Sequence, residues 1–441
     1  MKRKIIDKLL QWKNSPYRKP LILNGARQVG KTFILKEFGK LHYENFVYFD
    51  TETNLRLREY FETDFTPARI IEYLESVAQQ KIVPDKTLII FDEIQSSERI
   101  LRSLKTFCEE TPEYHIATAG SLLGVAVNRS NYSFPVGKVD EMDLFPMDFE
   151  EYLWALNKDF LQKEITQHFA DCSKMPNALH EECLELFRKY LLIGGMPEAV
   201  QTYIKSGSLI DVQNVQSKIV NEYIADMSKY ATPQTSVKIR ACYNSIPVQL
   251  AKENHKFQYR IVQKGGSTTI FGESIEWLDF AGIVLKCQKI NNGNLPLAVQ
   301  VDLSDFKLYM GDVGILAMKS SIPPQLLLQL GEDNTYLGYV VENYVAQCFK
   351  ANKHNLFYWK NDNSGELDFV LQIGTDVIPV EVKKGLNTKS RSLTMFQKQY
   401  NCPYAIRLSQ KNFGFANEIK SVPLYATHCI DFRDGLLRFI D

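Results

Sequence analysis

Pro20-Leu21-Ile22-Leu23-Asn24 runs straight into Gly25-Ala26-Arg27-Gln28-Val29-Gly30-Lys31-Thr32, and the helical pattern Thr32-Phe33-Ile34-Leu35-Lys36-Glu37-Phe38 follows. A strand, a GxxxxGK[ST] loop and a helix in that order make the unit that cradles phosphates. The glycines let the backbone from Gly25 through Ala26, Arg27, Gln28 and Val29 to Gly30 curl its N–H groups around an anion. The helix N-terminus adds partial positive charge there. In such a loop Lys31 reaches the β- and γ-phosphates of ATP, and the Thr32 hydroxyl ligates Mg2+. Further apolar runs, Phe46-Val47-Tyr48-Phe49, Leu88-Ile89-Ile90-Phe91 and His115-Ile116-Ala117, alternate with helical patterns up to about Leu144. Continuously apolar strands separated by helices predict an α/β fold whose parallel sheet is covered on both faces.

About sixty residues beyond the loop, the run Thr87-Leu88-Ile89-Ile90-Phe91 ends in Asp92-Glu93. A buried strand ending in two carboxylates suits a metal-side Asp92, acting through water, and a Glu93 that polarises the attacking water. Together with the loop, this pair points to hydrolysis rather than to binding alone. A third strand ends in Thr118-Ala119-Gly120-Ser121, where Ser121 or Thr118 is the candidate sensor between Asp92 and the γ-phosphate.

GARQVGKT, then FDEIQ, then AGSLLGV resemble a bacterial and archaeal branch of the AAA-type ATPases that carries a long C-terminal region of unknown function. Further matches are Val136-Gly137-Lys138 followed by DLFPMDFEEYL, then LLIGGMPEAV and WLDFAGIV, so the resemblance spans essentially the whole chain. It implies a sheet with an additional strand and a catalytic glutamate, which assigns Glu93 as the base. Relatives often carry Arg where Lys138 stands; Arg129 and Arg99 are the other candidates for an arginine finger.

Near the end, Gly365-Glu366-Leu367-Asp368-Phe369-Val370-Leu371 is followed by a Gly-Thr-Asp turn and Ile378-Pro379-Val380-Glu381-Val382-Lys383. Strand alternation places Asp368 opposite Leu367, Phe369 and Leu371, and sets Glu381 and Lys383 together opposite Val380 and Val382. Two adjacent strands then offer two carboxylates for a divalent metal, with Lys383 steadying a water or a phosphate oxygen. Glu342, in the helical run YVVENYVAQCF, completes the candidate set. The pattern resembles the PD-(D/E)xK restriction-endonuclease-like fold, as a cleaving enzyme or as a scaffold without cleavage. A solvated hairpin face is the plain alternative.

Between Lys238 and Lys264, Lys238, Arg240, Lys252, Lys256, Arg260 and Lys264 oppose only Glu253, with Phe257 and Tyr259 interleaved. A helical opening followed by short strands resembles a winged helix, and the patch is a candidate for DNA phosphate contacts or simply a solvated face. Ile193-Gly194-Gly195-Met196-Pro197 reads as a helix break.

The expected parts are an AAA-type P-loop domain (1–148), a helical lid or linker (149–235), a winged-helix-like region (236–322) and a nuclease-like α/β domain (323–441). Their sum, 441 residues with 45% hydrophobic and 24% charged residues, is ordinary for a globular protein. Lys+Arg and Asp+Glu both number 52, which excludes a globally basic nucleic-acid coat. The 8 cysteines contain no CxxC pair, so a reducing cytoplasm is the expected setting. The basic start reads as an amphipathic helix rather than a leader, and no apolar run is long enough for a membrane span. The expected function is Mg2+-dependent ATP hydrolysis driving a conformational change that acts on DNA or a DNA-bound partner. A nucleotide-gated nuclease and an ATP-switched interaction protein are the alternatives. An oligomer is compatible with all three.

Overall fold

In the computed structural model, the apolar runs of the first part form one five-stranded parallel sheet. Its strands are β1 (Leu21–Asn24), β2 (Asn45–Asp50), β3 (Thr87–Asp92), β4 (His115–Ala119) and β5 (Asp140–Asp143), in the order β2-β3-β4-β1-β5. Thus β4 lies between the loop strand β1 and the acidic strand β3, the additional strand that the resemblance implies. Every residue of β3 and β4 is buried, as a strand covered on both faces requires. Helix Glu98–Glu110 shows why its sequence packs on this sheet. Ile100, Leu101, Leu104 and Phe107 recur at helical spacing and are all buried, each worth about 1.5–3 kcal/mol when fully removed from water. The Ser97 hydroxyl caps the helix by accepting the Ile100 N–H at 3.3 Å, a contact worth about 1 kcal/mol. Helix Lys31–His42 presses on β2 through Gly39, where a Cβ would stand 2.8 Å from Phe46.

The structure describes residues 1–120, 134–252, 255–328, 335–361, 365–385 and 391–431. It divides into two units, Lys2–Phe145 with Phe280–Gly282, and Pro146–Asp279 with Ile283–Asp441. The second unit opens with helices from Phe149–Ala155, started by a reciprocal Asp148–Glu151 capping box, through Pro233–Leu250. Short helix Tyr259–Val262 and helix Thr268–Phe280 lead into β6 (Val284–Ile290) and its antiparallel partner β7 (Val301–Met310). Helices followed by a hairpin match the order expected of a winged helix. The hairpin is not a separate wing, however, because β6 also pairs in parallel with β8 (Phe357–Asn361), which pairs with β9 (Gly365–Leu367). The expected boundary between 322 and 323 therefore runs through one continuous sheet, β7-β6-β8-β9.

A second sheet holds β10 (Phe369–Ile373), β11 (Asp376–Val382), β12 (Ala405–Ser409), β13 (Gly414–Ala416) and β14 (Ile419–Pro423), in the order β10-β11-β12-β14-β13. The stretch read as one strand from Gly365 to Leu371 is thus two strands. The chain changes sheets at Asp368, so β9 pairs with β8 while β10 pairs with β11. The helix break at Gly194-Gly195 is a docking point. Gly194 adopts φ 72°, the Gly195 N–H donates to Asp312 Oδ2 at 2.6 Å, and a Cβ on Gly195 would lie 2.0 Å from the Met147 carbonyl. Asp312 also caps helix Val313–Lys319 by accepting the Ile315 N–H at 3.0 Å. Among the described residues, no helix is long and apolar enough to cross a membrane.

Candidate functional site

The loop after β1 has the backbone that its glycines permit. Gly25 takes φ 149° and Gly30 φ 93°, the latter heading the 12-residue helix Lys31–His42. A side chain at Gly25 would meet the Leu144 carbonyl at 2.3 Å. Lys31 is buried, and its ammonium donates to the Gly25 and Ala26 carbonyls, each at 2.8 Å. The Thr32 hydroxyl donates to Asp92 Oδ2 at 2.7 Å, so the two oxygens expected around Mg2+ stand together. Tyr48 donates to the same Asp92 oxygen at 3.0 Å. Burial and the Asp92 charge raise the Tyr48 phenol's pKa, which keeps it protonated as a donor. Asp92 Oδ1 accepts the N–H of Glu93 at 3.0 Å.

Glu93 itself is held in the left-handed region at φ 52°, a conformation that costs a non-glycine residue about 1–2 kcal/mol. Thr51 fixes it by donating to the Asp92 carbonyl at 2.9 Å and the Glu93 carbonyl at 2.6 Å, while Gln95 Nε2 donates to Glu93 Oε2 at 2.5 Å. Strain upheld by several contacts around one residue, here two through backbone carbonyls and one at the carboxylate, is the mark of a positioned group. The hard oxygens of Thr32 and Asp92, below a loop with a helix N-terminus, fit a Mg2+-nucleoside triphosphate.

Thr118 is fully buried, in register with Ile22 of β1 and Phe91 of β3, and its hydroxyl has no hydrogen-bond partner among the described residues. It keeps the sensor candidacy. Ser121 and Arg129 lie outside the described residues. Of the other finger candidates, Lys138 pairs with Glu109 at 2.9 Å and Arg99 with Glu62 at 3.0 Å. Sequence reasoning missed Arg3. It is buried, and its guanidinium donates to the Val29 carbonyl at 3.0 Å and to the Phe145 carbonyl at 2.6 Å, which ties the loop down from below. Within the basic start of the chain, no local pattern marks that arginine as different from its neighbours.

The C-terminal carboxylates are arranged otherwise than expected. Glu342 and Glu381 are buried rather than solvated. Glu342 Oε1 accepts from Lys307 Nζ at 3.0 Å and from the Tyr309 hydroxyl at 2.5 Å, and its Oε2 meets His255 Nδ1 at 2.7 Å. Lys307 Nζ also pairs with Glu366 Oε1 at 2.8 Å, and Lys360 holds Glu366 Oε2 at 2.8 Å. Lys383 pairs with Glu381 Oε1, and Asp368 Oδ2 accepts the Val382 N–H at 2.7 Å. Burial opposes the charge on Glu342, yet Lys307 and His255 outweigh it and hold the carboxyl below its usual range. Burial, with Glu342 and Glu381 nearby, pushes Asp368 up to about 8.

Among the described residues, no group of three His, Cys, Asp or Glu side chains is placed to hold a metal ion. Of the expected ligand set, Glu342 meets Lys307 and His255, Glu381 meets Lys383, and Asp368 accepts a backbone N–H while lying close enough to Glu342 and Glu381 to feel their charge. Lys307, His255, Tyr309 and Glu366 were invisible as a group, since they converge from separate stretches of sequence. In the basic window, Lys238, Arg240, Lys252, Arg260 and Lys264 are exposed. Lys256 instead pairs with Asp305 at 2.7 Å, and the buried Phe257 stacks on Phe306 at 5.5 Å, so its ring is core rather than a base-stacking platform.

Comparison with known proteins covers the chain in three pieces. Residues 17–153 match the AAA domain family, residues 184–326 a domain of unknown function (DUF8612) and residues 337–427 another (DUF4143). No curated protein matches the chain. Similar solved structures include the Walker-type ATPase of Pyrococcus abyssi, at 14% identity over 72% of this chain and 95% of that one, with TM-score 0.44. The ORC2 protein of Aeropyrum pernix is similar at 13% identity, covering 76% and 90%, with TM-score 0.36. Cdc6p of Pyrobaculum aerophilum is similar at 13% identity, covering 74% and 95%, with TM-score 0.26. The AAA domain match falls on the same stretch in which the geometry assembles the phosphate loop, the acidic strand and the strand inserted between them.

Proposed function

We propose that the chain is a Mg2+-dependent ATPase whose turnover drives a conformational change acting on DNA or a DNA-bound partner. The observation that carries the ATPase part is the joining of Lys31, Thr32 and Asp92 under a glycine loop, with the Thr32 hydroxyl 2.7 Å from Asp92. Bound ATP supplies the phosphoryl group and Mg2+ screens its charge. Lys31 exchanges the carbonyls of Gly25 and Ala26 for phosphate oxygens, Thr32 and Asp92 hold the metal side, and Glu93 takes the proton of the attacking water. The DNA part draws support from the exposed cations Lys238, Arg240, Lys252, Arg260 and Lys264. For the alternative of a nucleotide-gated nuclease, Glu342 is engaged by Lys307 and His255 and one oxygen of Glu381 by Lys383, while Asp368 accepts the Val382 N–H.

Nucleotide titration and phosphate release test the ATPase reading. Lys31→Ala should lose tight ATP binding. Glu93→Gln should keep binding and lose roughly 100-fold or more in turnover, the usual scale of a general base. Wild-type turnover by Glu93→Gln would remove Glu93 from its role. DNA affinity that is absent, or that does not change with salt, would leave the interaction-protein reading in place of a DNA-directed one.

A further inference from the structure

We infer that Lys307 is the resident counter-ion of Glu342 and Glu366 and makes this part of the C-terminal carboxylate cluster a metal-independent joint rather than a divalent-metal site. The inference is independent of the ATPase reading, because every residue it uses lies outside the loop, β3 and β4.

Position is the first argument. Lys307 belongs to the alternating run Asp305-Phe306-Lys307-Leu308-Tyr309 of β7 and is wholly buried. Its ammonium has a carboxylate on either side, Glu342 at 3.0 Å and Glu366 at 2.8 Å. It also stands 4.9 Å from the centre of the Tyr358 ring. A lysine at the rim of a metal site swings into solvent when the metal arrives; an ammonium with no exposed surface has no such route.

Occupancy of the donors is the second. Both oxygens of Glu342 are taken, by Lys307 and Tyr309 on one side and His255 on the other. Both oxygens of Glu366 are taken, by Lys307 and Lys360. One oxygen of Glu381 faces Lys383 while its Oε2 is buried with no hydrogen-bond partner among the described residues, and one oxygen of Asp368 accepts the Val382 N–H. Divalent magnesium or manganese would need several of these oxygens at about 2.0–2.2 Å in one shell. To gather them it must approach the buried Lys307 ammonium and break the bonds that hold Glu342 to Lys307, Tyr309 and His255. Charge count is the third. Lys307, Lys360 and Lys383 offer three positive charges to Glu342, Glu366 and Glu381, with His255 against Glu342 in addition, so these carboxylates are compensated without a metal.

What the lysine gains is a metal-independent joint. It connects β7, helix Thr335–Ala351 and β9, which are far apart in sequence. The nuclease-like residues Asp368, Glu381 and Lys383 then persist around a structural ion pair rather than around a cleavage site.

Manganese binding to the full chain without nucleotide tests this, read by the loss of the free Mn2+ electron paramagnetic signal and paired with plasmid nicking in Mn2+. Wild-type protein should show no Mn2+ site that Asp368→Asn or Glu381→Gln removes, and no nicking above background. Lys307→Met, which keeps the apolar stem and deletes the charge, should lower the melting temperature by ten degrees or more. Millimolar Mn2+ should restore part of that loss, since the vacated position then lies between Glu342, left with His255 and Tyr309, and Glu366, left with Lys360. Should Lys307→Met fail to fold, the wild-type comparison with Asp368→Asn still decides. One Mn2+ bound per wild-type chain at micromolar affinity and lost in Asp368→Asn overturns the inference, as does a Lys307→Met protein as stable as the wild type. Loss of ATP turnover in Lys31→Ala or Glu93→Gln has no bearing on either result.

Discussion

Arg3→Met is the most informative single change at the phosphate loop, because it removes a charge that binds the loop's own backbone. The guanidinium donates to the Val29 carbonyl at 3.0 Å and the Phe145 carbonyl at 2.6 Å. In a planar trans peptide the carbonyl and the following N–H point in opposite directions. Tying the Val29 carbonyl down to Arg3 therefore turns the Gly30 N–H to the opposite face, the one that phosphate oxygens would occupy. A hydrogen bond from a charged donor is worth about 1.5–3 kcal/mol, and methionine keeps the apolar stem while supplying no donor. If the Val29 bond alone sets the loop, its loss lowers the binding-competent fraction by roughly 10- to 100-fold. The apparent Kd for ATP rises by the same factor. The second bond, to Phe145, adds about 1–3 kcal/mol of lost stability without bearing on the loop. Turnover at saturating ATP should stay within a few-fold of wild type, since Thr32, Asp92 and Glu93 are untouched. Fluorescent-nucleotide titration with steady-state kinetics reads both quantities, and Arg3→Lys should recover part of the affinity. An Arg3→Met protein that is destabilised yet binds ATP with wild-type Kd would refute the argument and reduce Arg3 to a fastener.

Three further expectations follow from the geometry. Replacing Lys252, Arg260 and Lys264 with Ala should weaken DNA binding and flatten its log–log salt slope by up to about 0.9 per lost phosphate contact, whereas Lys256→Ala should leave both unchanged because Lys256 is spent on Asp305. Burial pushes His115 down to about 4, with Arg18 adding to it and Asp85 opposing; the folded form prefers the neutral ring, so stability is lost as pH falls below about 6.5, and the advantage of wild type over His115→Gln in thermal unfolding should shrink by about 2 kcal/mol between pH 7 and pH 5. Burial pushes Asp312 up to about 6 against the pull of three backbone N–H groups; here the folded form prefers the proton, so stability falls as pH rises, and wild type should lose about 2 kcal/mol relative to Asp312→Asn between pH 4.5 and pH 7. A pH-independent difference in either pair would contradict the assigned cause.

What the sequence made legible is what is local. The loop from Gly25 to Thr32 is contiguous, and its glycines carry the positive φ values that a phosphate cradle needs. The runs in β3 and β4 are buried throughout because a doubly covered parallel sheet leaves them no wet face, while the edge strand β2 buries only Val47 and Phe49. Hidden in the sequence were interactions between distant stretches. Arg3 reaches Phe145, and the Gly194-Gly195 pair, legible only as a break, is the seat of Asp312. Alternation misled at Gly365–Leu371, since period-2 patterning continues through a point where the chain passes from one sheet to another, and nothing local marks the change at Asp368. The same limit explains Glu342 and Glu381. Helical and strand periodicity place them correctly on their elements, but whether the facing element brings water, a metal or a lysine is decided by β7, some 35 residues earlier than Glu342.

Lys31 and Lys307 show how one residue type is given opposite work by its partners. Both are buried. The bonds that hold Lys31 to Gly25 and Ala26 go to neutral carbonyl oxygens. A phosphate oxygen carries net negative charge and attracts the ammonium by full charge on charge, which a neutral carbonyl cannot match, so arrival of an anion draws the lysine across. Lys307, itself buried, is bound to two carboxylates that carry full charge. No anion can improve on them, and a cation would have to displace an ammonium that cannot reach solvent. Exchange is therefore favourable at the first lysine and blocked at the second. A buried lysine facing dipoles is a binding group held in reserve, while a buried lysine facing charges is part of the frame. On that distinction Lys31 stands ready for an anion at the loop between Gly25 and Thr32, whereas Lys307 ties Glu342 and Glu366 into the frame.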